Sequence, residues 1–168
     1  DGEGQGDYFG RSVAGAGDVN GDGYDDVVVG ASGSDAARGK VYVFHGSANG
    51  VIEAVAGAAW ATAGEQKGDA FGSSVASAGD VNGDGYGDVV VGAPDHDTFN
   101  TGINTGINTG KVYVFYGSAS GVSGTAQAPA WSLEDTNDNG EFGRSVASAG
   151  DVNGDGYGDL IVGAPYYS

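Results

Sequence analysis

One acidic stretch of nine residues occurs three times and limits what this chain can become. It reads Asp18-Val19-Asn20-Gly21-Asp22-Gly23-Tyr24-Asp25-Asp26, and it recurs at 80–88 and 151–159 with a change only at the eighth residue, where Gly87 and Gly158 replace Asp25. Oxygen-bearing side chains fall at the first, third, fifth and ninth places. The seventh is tyrosine each time, where the backbone carbonyl is the expected donor. Glycines at the fourth and sixth places let the backbone turn sharply without a Cβ clash. A hard divalent cation takes about six to eight oxygens, and a tight loop of alternating donors can supply them. A solvated Asp/Asn/Gly turn is the plainer reading of one such stretch. Three copies in one register weigh against it, since each loop would crowd carboxylates at a cost that only a cation removes.

The first half of the stretch has the spacing of an EF-hand loop, but the second half does not. The twelfth place, where an EF-hand carries a bidentate glutamate, holds Val29, Val91 and Val162. The bidentate role would therefore fall to the ninth residue, Asp26, Asp88 or Asp159. That aspartate opens the runs Asp26-Val27-Val28-Val29-Gly30, Asp88-Val89-Val90-Val91-Gly92 and Asp159-Leu160-Ile161-Val162-Gly163. Short β-branched runs closed by glycine read as buried strands. Each acidic loop is thus expected to join two strands.

The surrounding residues repeat with the loops. Phe9-Gly10, Phe71-Gly72 and Phe142-Gly143 open three units, each followed by a run of small residues that ends in Ala-Gly. Small side chains there predict a strand packed closely against its neighbours. Gly39–Phe44 and Gly110–Phe115 share the sequence Gly-Lys-Val-Tyr-Val-Phe, a third strand whose apolar residues point both ways and so need cover on both faces. A weaker fourth strand carries Trp60 or Trp131, both expected to be packing residues. The loops are 62 and then 71 residues apart, and the excess lies between Gly92 and Gly110 in tandem Thr-Gly-Ile-Asn copies, a tolerated surface insertion spanning 95–109.

Phe-Gly, then Ser-Val-Ala, then the acidic loop, then Gly-Ala-Pro closely resembles the FG-GAP repeat of integrin α subunits and microbial surface proteins. The resemblance covers essentially the whole chain; Ser32 alone departs from the closing proline, which should loosen one turn. It implies an all-β fold of propeller blades, each of four antiparallel strands, with a calcium loop joining the first two strands of each blade. The units are 1–62, 63–133 and a half unit 134–168. The implied Ca²⁺ ligands are Asp18, Asn20, Asp22, Tyr24 (carbonyl) and Asp26; Asp80, Asn82, Asp84, Tyr86 and Asp88; and Asp151, Asn153, Asp155, Tyr157 and Asp159. Two and a half units cannot close a ring, so the expected partners are further repeats of a longer chain or other copies of this one.

Composition narrows the function. The 168 residues carry a net charge of −17, which three Ca²⁺ (+6) would reduce to −11. Nucleic acid and anionic membrane surfaces both call for basic patches, so neither is an expected partner. There is no cysteine, which excludes disulfides and thiol chemistry, and no apolar run long enough to span a bilayer. No leader-like segment is present, so an exported chain would be a mature or excised segment. The only histidines are His45 and His96; Tyr116 stands in the place of His45, and His96 lies in the variable insertion. No catalytic constellation is apparent, and the chain is expected not to be an enzyme. The resulting expectation is a calcium-binding extracellular or cell-surface module that binds protein or glycan in adhesion. A structural repeat of a surface layer or fibre is the alternative, and a non-catalytic propeller appended to a secreted hydrolase is a third arrangement.

Overall fold

The computed structural model describes residues 2–51, 55–97, 107–136 and 139–167. Most of the tandem Thr-Gly-Ile-Asn insertion, 98–106, lies outside the described residues. Each β-branched run is a strand, as its sequence predicts. The first sheet contains β1 (Phe9–Gly17), β2 (Asp26–Ala31), β3 (Lys40–Phe44) and β4 (Trp60–Ala63). The second contains β5 (Ser74–Gly79), β6 (Asp88–Ala93), β7 (Lys111–Phe115) and β8 (Trp131–Glu134), and the third pairs β9 (Ser145–Gly150) with β10 (Asp159–Gly163). Strand order within each sheet follows chain order, and every pairing is antiparallel. These are blades of propeller type, and they form no closed ring in this chain.

The first hairpin of each sheet has the same irregularity. The register slips by one residue at Ala16, Ala78 and Ala149, just before the acidic loop. The next residue, Gly17, Gly79 or Gly150, has a φ of 74°, 77° or 73°. A glycine in the left-handed region beside an extra residue is how a β-bulge bends a strand out of its ladder. The recurring Ala-Gly-Asp therefore sets the direction in which each loop leaves its sheet.

The period of two in the third strands divides the core into layers. Tyr113 and Phe115 of β7 face the first sheet, where they meet Val41 and Val43 of β3 and Phe71. Val112 and Val114 face the other way, toward Phe142, Val146, Leu160 and Val162 of the third sheet. Tyr42 and Phe44 cover the outer face of the first sheet with Phe9. The Phe of each Phe-Gly pair is thus a wedge: Phe71 meets Tyr113 edge-on at 5.1 Å, as Phe9 meets Tyr42 at 5.4 Å. Both faces of the third strands are covered, as expected.

The small residues of the first strands allow the sheets to approach. β1 lies beside β5, and β5 beside β9. The Ser77 hydroxyl donates to the Ala16 carbonyl (3.1 Å), and the Val75 N–H donates to Ser12 Oγ (3.0 Å). Where Gly30 meets Gly72, a Cβ on Gly30 would sit 2.0 Å from the Gly72 oxygen.

Trp60 packs on Phe115 of the next sheet with ring centroids 4.9 Å apart, and its indole N–H donates to the Gly124 carbonyl (3.1 Å). Trp131 does not fill the packing role expected of it; it is 45% exposed. The equivalent seat would be a third strand in the third sheet, which this sequence does not contain.

Candidate metal loops and family membership

The three acidic loops have the same internal hydrogen bonds. In the first, Asp18 Oδ1 accepts from the N–H groups of Gly21 (2.7 Å) and Asp22 (3.1 Å), and Oδ2 accepts from Gly23 (2.8 Å). Asn20 Oδ1 accepts from the Asp22 N–H, and its amide donates to Asp22 Oδ2, both at 2.9 Å. Asp22 Oδ1 accepts from the Tyr24 N–H (2.9 Å). Asp80, Asn82 and Asp84 repeat these contacts, as do Asp151, Asn153 and Asp155. The glycines at places four and six have positive φ in every copy, which is the reason for their presence.

The ninth residue has a second duty that sequence reasoning does not anticipate. Asp26 is buried; its Oδ2 accepts from the Val19 N–H and its Oδ1 from the Gly46 N–H, both at 2.8 Å. Asp88 does the same with Val81 (2.8 Å) and Gly117 (2.9 Å). In the third loop, Asp159 Oδ2 accepts from Val152 (2.8 Å). The carboxylate therefore ties the acidic loop to the Gly-Ser turn after the third strand. The shared Phe-x-Gly-Ser at 44–47 and 115–118 is the one signal of this in the sequence.

The tyrosine side chain has a role separate from its carbonyl. The ring of Tyr86 lies over Gly21 of the preceding loop, and Tyr157 lies over Gly83; a Cβ on either glycine would come within 2.6 and 2.5 Å of the ring. The N–H of Gly87 donates to the Asp18 carbonyl (2.9 Å), and that of Gly158 donates to the Asp80 carbonyl (2.8 Å). Consecutive loops are thus locked to each other at one end of the sheets.

The electrostatics reflect this geometry. Hydrogen bonding from Gly23 above all, with Gly21 and Asp22 adding to it, holds the Asp18 carboxyl below the usual range despite some desolvation; Gly156 does the same for Asp151. Asp88 shifts upward instead. Burial outweighs its hydrogen bonds, and the charges of Asp84 and Asp80 push further in the same direction. Asp88 therefore lies within reach of the charges of Asp84 and Asp80.

No lysine or arginine pairs with any loop carboxylate among the described residues. Among the same residues, no three carboxylate or imidazole side chains converge on one point as a metal cluster. The first, third and fifth residues of each loop accept from N–H groups of their own loop, and Asp26 and Asp88 also reach Gly46 and Gly117. The donors that remain are all hard oxygens, a chemistry that fits Ca²⁺ and excludes a soft-metal site.

Among the described residues, no helix is long and apolar enough to cross a membrane. The FG-GAP repeat pattern matches residues 9–44, 71–115 and 142–168. Integrin alpha-PS2 of Drosophila melanogaster is 34% identical over 163 residues, which is 95% of this chain and 10% of the relative. Integrin alpha pat-2 of Caenorhabditis elegans is 35% identical over 167 residues, 95% of this chain and 13% of the relative. Phosphatidylinositol-glycan-specific phospholipase D of Bos taurus is 37% identical over 167 residues, 89% of this chain and 18% of the relative. The chain spans under a fifth of the length of each of these three relatives. With three matching segments, and with sheets and loops that repeat in register, the chain belongs to the FG-GAP repeat family.

Proposed function

We propose that the chain is a calcium-stabilised module of an extracellular β-propeller that serves adhesion by binding protein or glycan. Each acidic loop holds one Ca²⁺: Asp18, Asn20, Asp22, the Tyr24 carbonyl and Asp26 in the first; Asp80, Asn82, Asp84, the Tyr86 carbonyl and Asp88 in the second; Asp151, Asn153, Asp155, the Tyr157 carbonyl and Asp159 in the third. What carries this reading is the threefold set of carboxylates without a paired side-chain cation among the described residues. Calcium supplies the missing positive charge. The chain's own residues hold the oxygens in place through the glycine N–H groups and transmit the constraint through Asp26 and Asp88 to the turns at Gly46 and Gly117. The sites therefore act in stability rather than in chemistry, and no catalytic step is assigned to the chain. Extracellular modules bind calcium at roughly 10⁻⁴–10⁻³ M, so the sites would fill outside the cell.

The repeat units are 1–62, 63–133 and 134–168, completed by further repeats of a longer chain or by other copies. A second reading is a building block of a surface layer or fibre. It draws on the identical junctions between successive units, tyrosine on glycine and N–H on carbonyl, which could continue without limit. Native mass in millimolar calcium separates the two: discrete species fit the module, and a concentration-dependent ladder fits the fibre.

Replacing Asp84 by Ala tests the metal sites one at a time. The variant should bind one calcium fewer and lose about 3 kcal/mol at a hundredfold excess of calcium over the dissociation constant. In chelator it should melt close to the parent chain. An equal loss in both conditions would assign Asp84 to packing.

A further inference from the structure

His96 belongs by sequence to a variable insertion, yet it is 2% exposed. Its Nδ1 lies 2.9 Å from Asp69 Oδ2, and its Nε2 lies 2.9 Å from Glu134 Oε1. A neutral imidazole has only one N–H. A ring with a carboxylate oxygen at hydrogen-bond distance from each nitrogen is satisfied when both nitrogens donate, which is the imidazolium form.

We propose that His96 is held as an imidazolium and acts as a charge-dependent clamp, tying the crossover between the first two sheets to the second sheet and closing the base of the β6–β7 connection. The partners come from every element packed around it. Asp69 and Glu65 lie on the crossover that follows β4, Lys111 and Tyr113 on β7, and Glu134 at the end of β8. Asp95 and Asp97 flank the ring on its own connection. Lys111 Nζ bridges Glu65 Oε1 (2.7 Å) and Glu134 Oε1 (3.0 Å). Without the charge on His96, Glu65 and Glu134 would be left to this single ammonium, and Asp69, whose side chain is fully buried, would lose its counter-ion. Its Oδ1 has no hydrogen-bond partner among the described residues.

The clamp acts through the backbone on both sides of the insertion. The His96 carbonyl accepts from the Gly110 N–H (3.0 Å) and the Thr109 hydroxyl (2.9 Å). Asp97 Oδ1 accepts from the Asn108 N–H (2.8 Å). On the crossover side, Asp69 Oδ2 also accepts from the Gln66 N–H (2.9 Å), the Asp69 carbonyl accepts from the Asp95 N–H (3.3 Å), and the Gln66 amide donates to the Asp97 carbonyl (3.3 Å). The first unit lacks this device: its connection is nine residues shorter, and Ser34 stands at the offset of His96. The clamp sits at the end of the sheet opposite the acidic loops and touches none of their residues, so its response to pH is separable from calcium.

The direction of the response is set by the surroundings. Burial alone would discharge the ring; the hydrogen bond and charge of Asp69, with Glu134 adding and Lys111 opposing, outweigh it and lift the pKa above its ordinary 6.5. A base whose folded pKa is raised adds stability that is complete below the unfolded value and is lost as pH rises through the folded one. The clamp is therefore closed near pH 6 and opens in alkali.

The chain has two histidines, so the imidazole signals of the calcium-loaded protein can be followed by NMR, with His45→Asn to assign them. His96 should titrate above the ordinary 6.5. Asp69→Asn should move that midpoint down. The melting-temperature advantage of the parent chain over His96→Gln should be several degrees at pH 6 and shrink toward pH 9. A His96 midpoint at or below 6.5, or an advantage that does not change with pH, would overturn the proposal.

Discussion

Removing calcium is expected to lower the melting temperature of this chain by about 15–30 °C. Three sites, each at a hundredfold excess of ligand over its dissociation constant, contribute about 8 kcal/mol in total when only the folded state binds. For a domain of this size, each kcal/mol corresponds to about 2–4 °C. The loss should be large because the loops lock to one another: Tyr86 sits on Gly21 and Tyr157 on Gly83, and Gly87 and Gly158 donate to the carbonyls of Asp18 and Asp80. Release of one cation therefore frees contacts in two sheets. The check is a thermal melt in millimolar calcium against the same melt in chelator. Magnesium should restore little, since it demands tighter octahedral geometry and gives up its water reluctantly. Identical melts in the two conditions would mean that calcium does not stabilise this fold.

The second large effect belongs to a glycine far from any acidic loop. Gly92→Ala should cost about 3 kcal/mol or more, at the upper end of overpacking penalties, and lower the melting point by about 6–12 °C. A Cβ on Gly92 would lie 2.0 Å from the Gly143 carbonyl oxygen and 2.4 Å from Ser74 Oγ. The first obstacle is backbone of the neighbouring sheet, which cannot rotate away, so the second and third sheets would have to separate. Gly15→Ala is the control. Gly15 also lies in a strand, but nothing stands within 4 Å of a Cβ placed there, and the substitution should be neutral or slightly stabilising. Equal melting shifts for the two variants would mean that close approach of the sheets is not what these glycines provide.

The strands are legible in the sequence because each is a short β-branched run ended by glycine, and because the runs recur. The repeat itself, with Phe-Gly before the acidic loop and Gly-Ala after it, is enough to place the loops between first and second strands. The acidic loops can be located in the same way, since their carboxylates and glycines are local. Contacts between units are not legible. That Tyr86 covers Gly21 depends on how one loop meets the loop 62 residues earlier, and no local pattern states that distance. The ties from Asp26 to Gly46 and from Asp88 to Gly117 run 20 and 29 residues along the chain. His96 is the least legible residue. Its partners Asp69 and Glu134 lie 27 and 38 residues away, on elements brought together only by the packing of one sheet on the next. Trp131 shows the converse limit: by analogy with Trp60 it reads as core, but its seat requires a strand that this sequence does not supply.

Calcium titration calorimetry on the full chain tests most directly whether the three acidic loops are three calcium sites. Three bound ions per chain are predicted, falling to two in Asp84→Ala, with dissociation constants on the order of 10⁻⁴–10⁻³ M. A stoichiometry of zero, or three ions still bound after Asp84→Ala, would contradict it.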